Sequence, residues 1–163
     1  MRFSVVSATL LASATALLSG VLTVEAGNYE RDMLCKLNEW RQRNGKPFFS
    51  FDNGLWVVAN KHNELQVSKR QLVFRFPEEA PLLERINNQC KGENWNSAGQ
   101  LMGWNYKTTD DFARTMATSG STKDIFNGEY THIGVVREDA NGEAWWTMVM
   151  ANKPGAAYAD VKC

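Results

Sequence analysis

Any chemistry in this chain would have to be built from few residues: two histidines, His62 and His132, the glutamine Gln100, and three cysteines, Cys35, Cys90 and Cys163. The histidines are far apart in sequence, and neither stands in a His-Glu-x-x-His or His-x-x-Glu-His spacing, so a zinc-hydrolase reading has no local motif behind it. No Gly-x-Ser-x-Gly elbow presents a serine nucleophile, and Ser119-Gly120-Ser121 reads as loop chemistry. Gly-rich phosphate loops are also absent.

Gln100 lies in NSAGQLMGWNYKT, between a glycine and the apolar pair Leu101 and Met102. A glutamate there would be costly to bury and would signal a charge partner or a metal, whereas a glutamine asks only for hydrogen bonds. The three cysteines allow one disulfide among three pairings, with one thiol left over, and the sequence does not choose between them. With no Cys-x-x-Cys and no adjacent histidine, the leftover thiol is expected to be buried and inert.

The elements that must position these residues follow a leader. The chain opens MRFSVVSATLLASATALLSGVLTVEA, with Arg2 ahead of an apolar run from Val5 to Val24 and a small-residue exit, which predicts a secretory signal peptide over residues 1–26. The run is also long enough for an uncleaved anchor, since about 18 apolar residues begin to span a bilayer. Residues 27–151 are expected to form one domain and 152–163 a polar tail that Cys163 pins down. Of 18 basic and 18 acidic residues, Arg2 and Glu25 fall in the leader, and the balanced remainder gives no net field for nucleic acid or anionic lipid. No Asn-x-Ser/Thr sequon occurs.

Met33, Leu34, Leu37 and Trp40 fall at helical spacing, and Asn44-Gly45 before Pro47 stops that helix. Asp52 or Asn53 caps a second helix whose inner face is Leu55, Val58, Ala59, His62 and Leu65. His62 therefore points inward, where an imidazole is more often a satisfied core residue than a ligand. Pro81 starts a third helix with Leu82, Leu83 and Ile86 on one face, ended by Cys90-Lys91-Gly92. The Gln100 segment reads as a loop into a short strand, Thr108 or Thr109 caps a fourth helix, and Ser119 to Thr122 reads as a loop.

YTHIGVVREDANGEAWWTMVMA supplies two β-rich runs around an Asn-Gly turn, with His132, Gly134 and Val136 on one strand face and Ile133 and Val135 on the other. Helices early and an antiparallel pair late predict an α+β domain, layered α/β/α, with a largely antiparallel sheet.

Taken together, MLCKLNEWRQRNGKPFFSFDNGLWVVANKHNELQ, LLERINNQCKGENWNSAGQLMGWNYKTTDDFARTM, YTHIGVV and AWWTMVMA resemble the cysteine-rich secretory, antigen 5 and pathogenesis-related (CAP, or SCP-like) superfamily in its compact form. The matching positions include Asn38 and Arg41 of an Asn-x-x-Arg helix, and Leu55, Ala59 and His62 of a Leu-x-x-x-Ala-x-x-His helix. The resemblance implies an α/β/α sandwich and a cleft lined by two histidines and two acidic residues, able in some members to hold a divalent metal.

His62 matches the first histidine of that cleft, and Gln100 stands where a Gly-Glu-Asn glutamate is expected. The second histidine position falls on Ser121 or Thr122, and neither Glu93 nor Glu129 has the context of the remaining acid. His132, in the strand beyond, is a further candidate for the cleft. A neutral imidazole with amide and hydroxyl groups supplies too little negative charge for zinc, so the expectation is a neutral cleft with no catalytic residue, metal or cofactor.

The function implied is secretion and binding, of a sterol, a fatty acid or an extracellular protein or cell-wall partner, with no nucleic acid and no stable membrane insertion after leader cleavage. Leu72, Phe74, Phe76 and Met102 would border a groove or belong to the core. Two alternatives stand beside it: a metal-assisted hydrolase in which His62 and His132 converge, and a scaffold contributing only a folded surface.

Overall fold

The computed structural model describes residues 28–156. In chain order the elements are α1 (Asn28–Arg43), β1 (Ser50–Phe51), α2 (Asn53–Lys69), α3 (Leu82–Gln89), β2 (Ser97–Trp104), α4 (Thr109–Thr118), α5 (Gly120–Phe126), β3 (His132–Ala140) and β4 (Glu143–Asn152). The expected leader and the last residues of the tail, with Cys163, lie outside the described residues.

The sheet order is β1-β3-β4-β2, with β1 parallel to β3 and the other pairs antiparallel. Asn141 and Gly142 both take positive φ, 53° and 77°, the backbone that a tight two-residue hairpin turn requires. Strand alternation then sends side chains to two layers. Met148, Met150, Trp146, Ile133 and Val135 face a core built with Met33, Leu37 and Phe112, while Val136, Val149 and Ala151 face Leu55, Val58 and Ile86. Helices α1 and α4 cover the first face and α2 and α3 the second, so β4 is buried on both sides and the fold is an α/β/α sandwich.

Caps set the helix starts. Asp52 accepts a hydrogen bond from Leu55 N at 2.8 Å at the head of α2, and Thr108 accepts from Asp111 N at 3.1 Å at the head of α4. The start of α2 runs directly over β3: a Cβ on Gly134 would fall on the backbone of Leu55 and Trp56. The Asn-x-x-Arg pair of α1 holds the chain that follows it. Asn38 Nδ2 donates to Phe49 O at 3.1 Å, and Asn38 Oδ1 accepts from Phe49 N at 2.8 Å. Arg41, fully buried over the Phe49 ring, donates to the carbonyls of Pro47, Phe126, Gly128 and Tyr130. That one guanidinium satisfies the carbonyls left open where α5 ends.

Two expectations are corrected. Ser119 to Thr122 is not a loop: Ser119 caps the short helix α5, whose seven residues carry too little periodicity to be seen. Leu65 is only partly buried, and the inner face of α2 continues instead through Asn63 and Gln66, both fully buried. These two meet Thr147 of β4, Gln66 Nε2 donating to its hydroxyl, which donates in turn to Asn63 Oδ1 at 3.0 Å.

Candidate functional site

His62 is placed by the inner face of α2 and is fully buried, as its spacing predicts. Its Nδ1 lies 2.9 Å from both carboxylate oxygens of Glu79. Nε2 faces the Val73 carbonyl at 3.0 Å and the Met102 sulfur at 3.3 Å. Both nitrogens thus lie within hydrogen-bond reach of an acceptor, and Nδ1 also lies 3.4 Å from Arg85 Nη1. Neither turns a lone pair toward open space.

Glu79 sits in the turn between α2 and α3, where Phe76 N donates to its Oε2 at 2.8 Å and its own N donates to Phe76 O at 3.0 Å. Its other main partner is Arg85 of α3, whose Nη1 meets Glu79 Oε1 at 2.6 Å. The second fork of the same guanidinium, Nη2, donates to Gln100 Oε1 at 2.9 Å. Gln100 Nε2 then donates to Phe74 O at 3.2 Å and approaches Met102 Sδ at 3.4 Å. The result is one network, His62 to Glu79 to Arg85 to Gln100, spanning α2, a turn, α3 and β2.

Its electrostatics follow from burial. The side chains of Arg85 and Glu79 are 13% and 7% exposed, so their attraction acts at low dielectric and offsets their desolvation only because each is also hydrogen-bonded elsewhere. Burial pushes the Arg85 guanidinium below its ordinary range; Glu79 opposes that push and Arg75 adds to it. It remains charged.

Beside this network lies a cavity of about 440 Å³, lined by Phe74, Arg75, Leu82, Gln100, Ile125 and Tyr130 among others. Arg85 forms part of its wall and also borders a smaller cavity of about 250 Å³ with Val58 and Lys61. The Tyr130 ring packs over Gly99, where a Cβ would meet its hydroxyl, and burial raises its phenol.

The sequence-derived site residues divide sharply. His62 and Gln100 are brought together through Arg85. Ser121 is exposed on α5, and the Thr122 hydroxyl donates to Thr115 O and Ser119 O at 3.2 Å, so both stand outside the network and α5 reaches the cavity with Ile125 instead. His132, at the start of β3, packs edge-on to Trp95 at 5.3 Å with Nδ1 2.8 Å from the Thr131 hydroxyl. Its ring shares no partner with His62. Glu93 pairs with Lys153 at 3.3 Å and Glu129 with Lys46 at 2.7 Å, both away from the cleft. Of the apolar candidates, Phe76 is buried, Met102 touches the network, and Leu72 and Phe74 are 46% and 62% exposed.

The expectation of a neutral cleft is corrected: it holds a buried ion pair. Glu79 and Arg85 escaped sequence reading because neither lies in a motif. The local signal was an acid held in a turn between Pro77 and Pro81, and an arginine on the inner side of an eight-residue helix.

The divalent metal that the resemblance implies does not fit these residues. The carboxylate is taken up by Arg85, both imidazole nitrogens face acceptors, and position 100 offers an amide. Among the described residues no group of three or more His, Cys, Asp or Glu is placed to hold a metal ion.

No family model and no curated protein sequence matches the chain. Solved structures do. An outer surface protein of Borrelia burgdorferi superposes with a TM-score of 0.68 at 13% identity, over 80% of this chain and 96% of that one. An extracellular protein of Bacillus anthracis containing a SCP domain gives 0.64 at 18% identity, over 77% of this chain and 40% of that one. The venom allergen-like protein 4 of Schistosoma mansoni gives 0.53 at 14% identity, over 83% of this chain and 99% of that one. With the sheet order, the two-sided helical cover and the α2 histidine in place, the chain has the CAP, or SCP-like, fold.

Proposed function

We propose that this is a secreted, non-enzymatic CAP-domain protein that acts by binding, and that the ligand site is the cavity beside Arg85. The observation that carries this reading is a cavity of about 440 Å³ with apolar walls from Phe74, Leu82 and Ile125 next to a few convergent polar groups, the usual make-up of a small-molecule site. Arg85 and Gln100 are engaged with one another, and no polar side chain among those named on the cavity wall is arranged as a nucleophile with a base. Among the described residues no helix is long and apolar enough to cross a membrane. Secretion itself rests on the leader, and N-terminal sequencing of the exported protein should begin at Gly27.

The test is extraction of ligand from the purified protein followed by direct binding of cholesterol, ergosterol and palmitate. Saturable binding of at least one supports the reading, and binding of none contradicts it. A second reading, an extracellular protein or cell-wall partner, is favoured by one observation: Leu72, Phe74 and Trp104 are large apolar side chains left 46%, 62% and 47% exposed. Loss of partner capture on Trp104→Ser, with lipid binding intact, would separate the two. The scaffold alternative predicts normal function after both His62 and Gln100 are replaced.

A further inference from the structure

At the Trp104 end of β2 lies a third cavity, of about 310 Å³, lined by Arg70, Leu72, Trp104, Glu143 and Trp145. It shares no lining residue with the two cavities that Arg85 borders. Trp104 stands opposite Trp145 in the β2–β4 register, which sets the two indoles side by side with ring centres 6.1 Å apart and planes inclined at 45°. Trp145 is buried, while Trp104 and Leu72 are about half exposed. A left-handed turn at Arg70, φ 52°, closes α2 and leads the chain to Leu72, and the Arg70 side chain reaches the first residue of β4, Nη2 lying 3.3 Å from Glu143 Oε1. Two indoles and an ion pair thus share one opening.

This combination selects by exclusion. An anion gains little from Arg70 that Glu143 beside it does not take back, and a cation meets the reverse. A purely apolar molecule would strip water from the pair and replace none of its hydrogen bonds. The pair is exposed and adds little to stability, and it uses only one of five guanidinium N–H groups and one carboxylate oxygen, so donors and acceptors stay open on the same rim. What fits is a neutral molecule with an apolar face for the indoles and an edge of hydroxyl groups that both donate and accept. A pyranose with equatorial substituents is such a molecule: its axial C–H groups make an apolar face, and its hydroxyls ring the perimeter. We propose that this cavity is a saccharide site, in which a neutral β-linked hexopyranose stacks on Trp104 and hydrogen-bonds to Arg70 and Glu143 through its edge. This rests on the reading of an extracellular protein or cell-wall partner, and it makes that partner a glycan.

The test is calorimetry of the purified protein with laminarihexaose and chitohexaose, with trigalacturonate as the charged control. Saturable binding of at least one neutral hexasaccharide is expected, with none of the anionic sugar. Trp104→Ala, a change at a half-exposed side chain, should weaken that binding at least about tenfold at an unchanged Tm, while Trp104→Phe keeps part of it. Arg70→Gln should weaken it less. Binding that survives Trp104→Ala, or a preference for trigalacturonate, overturns the inference. Cosedimentation with isolated yeast cell walls, untreated and stripped of protein by protease, separates the remaining outcomes. No hexasaccharide binding, with cosedimentation only on untreated walls, overturns the glycan and leaves a protein partner in place. No hexasaccharide binding and no cosedimentation with either preparation overturns the inference together with the reading on which it rests.

Discussion

Arg85 Nη2 donates to Gln100 Oε1 across 2.9 Å, joining a helix to the edge strand of the sheet. This contact explains the amide at position 100. Arg85 already neutralises Glu79, so a neutral acceptor completes the fork without adding a second buried charge to be desolvated. Gln100 also donates to Phe74 O at 3.2 Å, a bond that a carboxylate could not make.

Removing one member of the pair should cost more than removing both. Arg85→Met leaves Glu79 buried beside His62 without its guanidinium, and a loss of about 3 kcal/mol is expected. In thermal unfolding this appears as a Tm lower by roughly 10 °C. The double change Arg85→Met with Glu79→Leu should recover much of that loss, and equal or additive losses would argue against coupling.

Stability should fall on mild acidification because of His132. Burial lowers the pKa of this group; Asp52 and Glu93 oppose that and Lys153 adds to it. Below the ordinary histidine range the unfolded chain takes up a proton that the folded protein resists, so stability is lost as pH drops. Thermal unfolding at pH 7.5 and 5.5 should show a decline in the wild type that is smaller in His132→Gln. Equal declines would assign the effect to other groups.

Cys90 should be inert in the native state. It is buried against Gly54, and burial, with Asp52 and Glu93 nearby, pushes its thiol up to about 11, so almost no thiolate exists at neutral pH. Iodoacetamide at pH 8 should label it only after denaturation, and rapid native labelling would contradict this. Because Cys90 is a free thiol, the disulfide we propose joins Cys35 to Cys163, the latter outside the described residues. Non-reducing peptide mapping should recover that cross-linked pair and no other.

Much of the frame was legible from local physics. Apolar spacing and caps located α1, α2, α3 and α4, and Asn141-Gly142 located the hairpin, because each is specified by residues close in sequence. The two-residue β1 and the seven-residue α5 were not, since elements so short are held by Arg41 and by pairing with β3 rather than by their own patterns. The site was half legible. His62 and Gln100 were visible as positions in a motif, but Glu79 and Arg85 acquire their roles through contacts 6 to 23 residues apart that cross from one element to another, which periodicity does not record. Serine and threonine on α5 were misplaced for the same reason: a helix turns Ile125, not Thr122, toward the cavity.

The central claim is that the cation of this cleft is Arg85, leaving His62 and Gln100 to support recognition. Calorimetric titration of the purified protein with Zn²⁺ at pH 7, in wild type and in His62→Ala, tests it most directly. The account predicts no stoichiometric heat attributable to His62, with the two proteins indistinguishable. Tight one-to-one binding in the wild type that disappears in His62→Ala would contradict it.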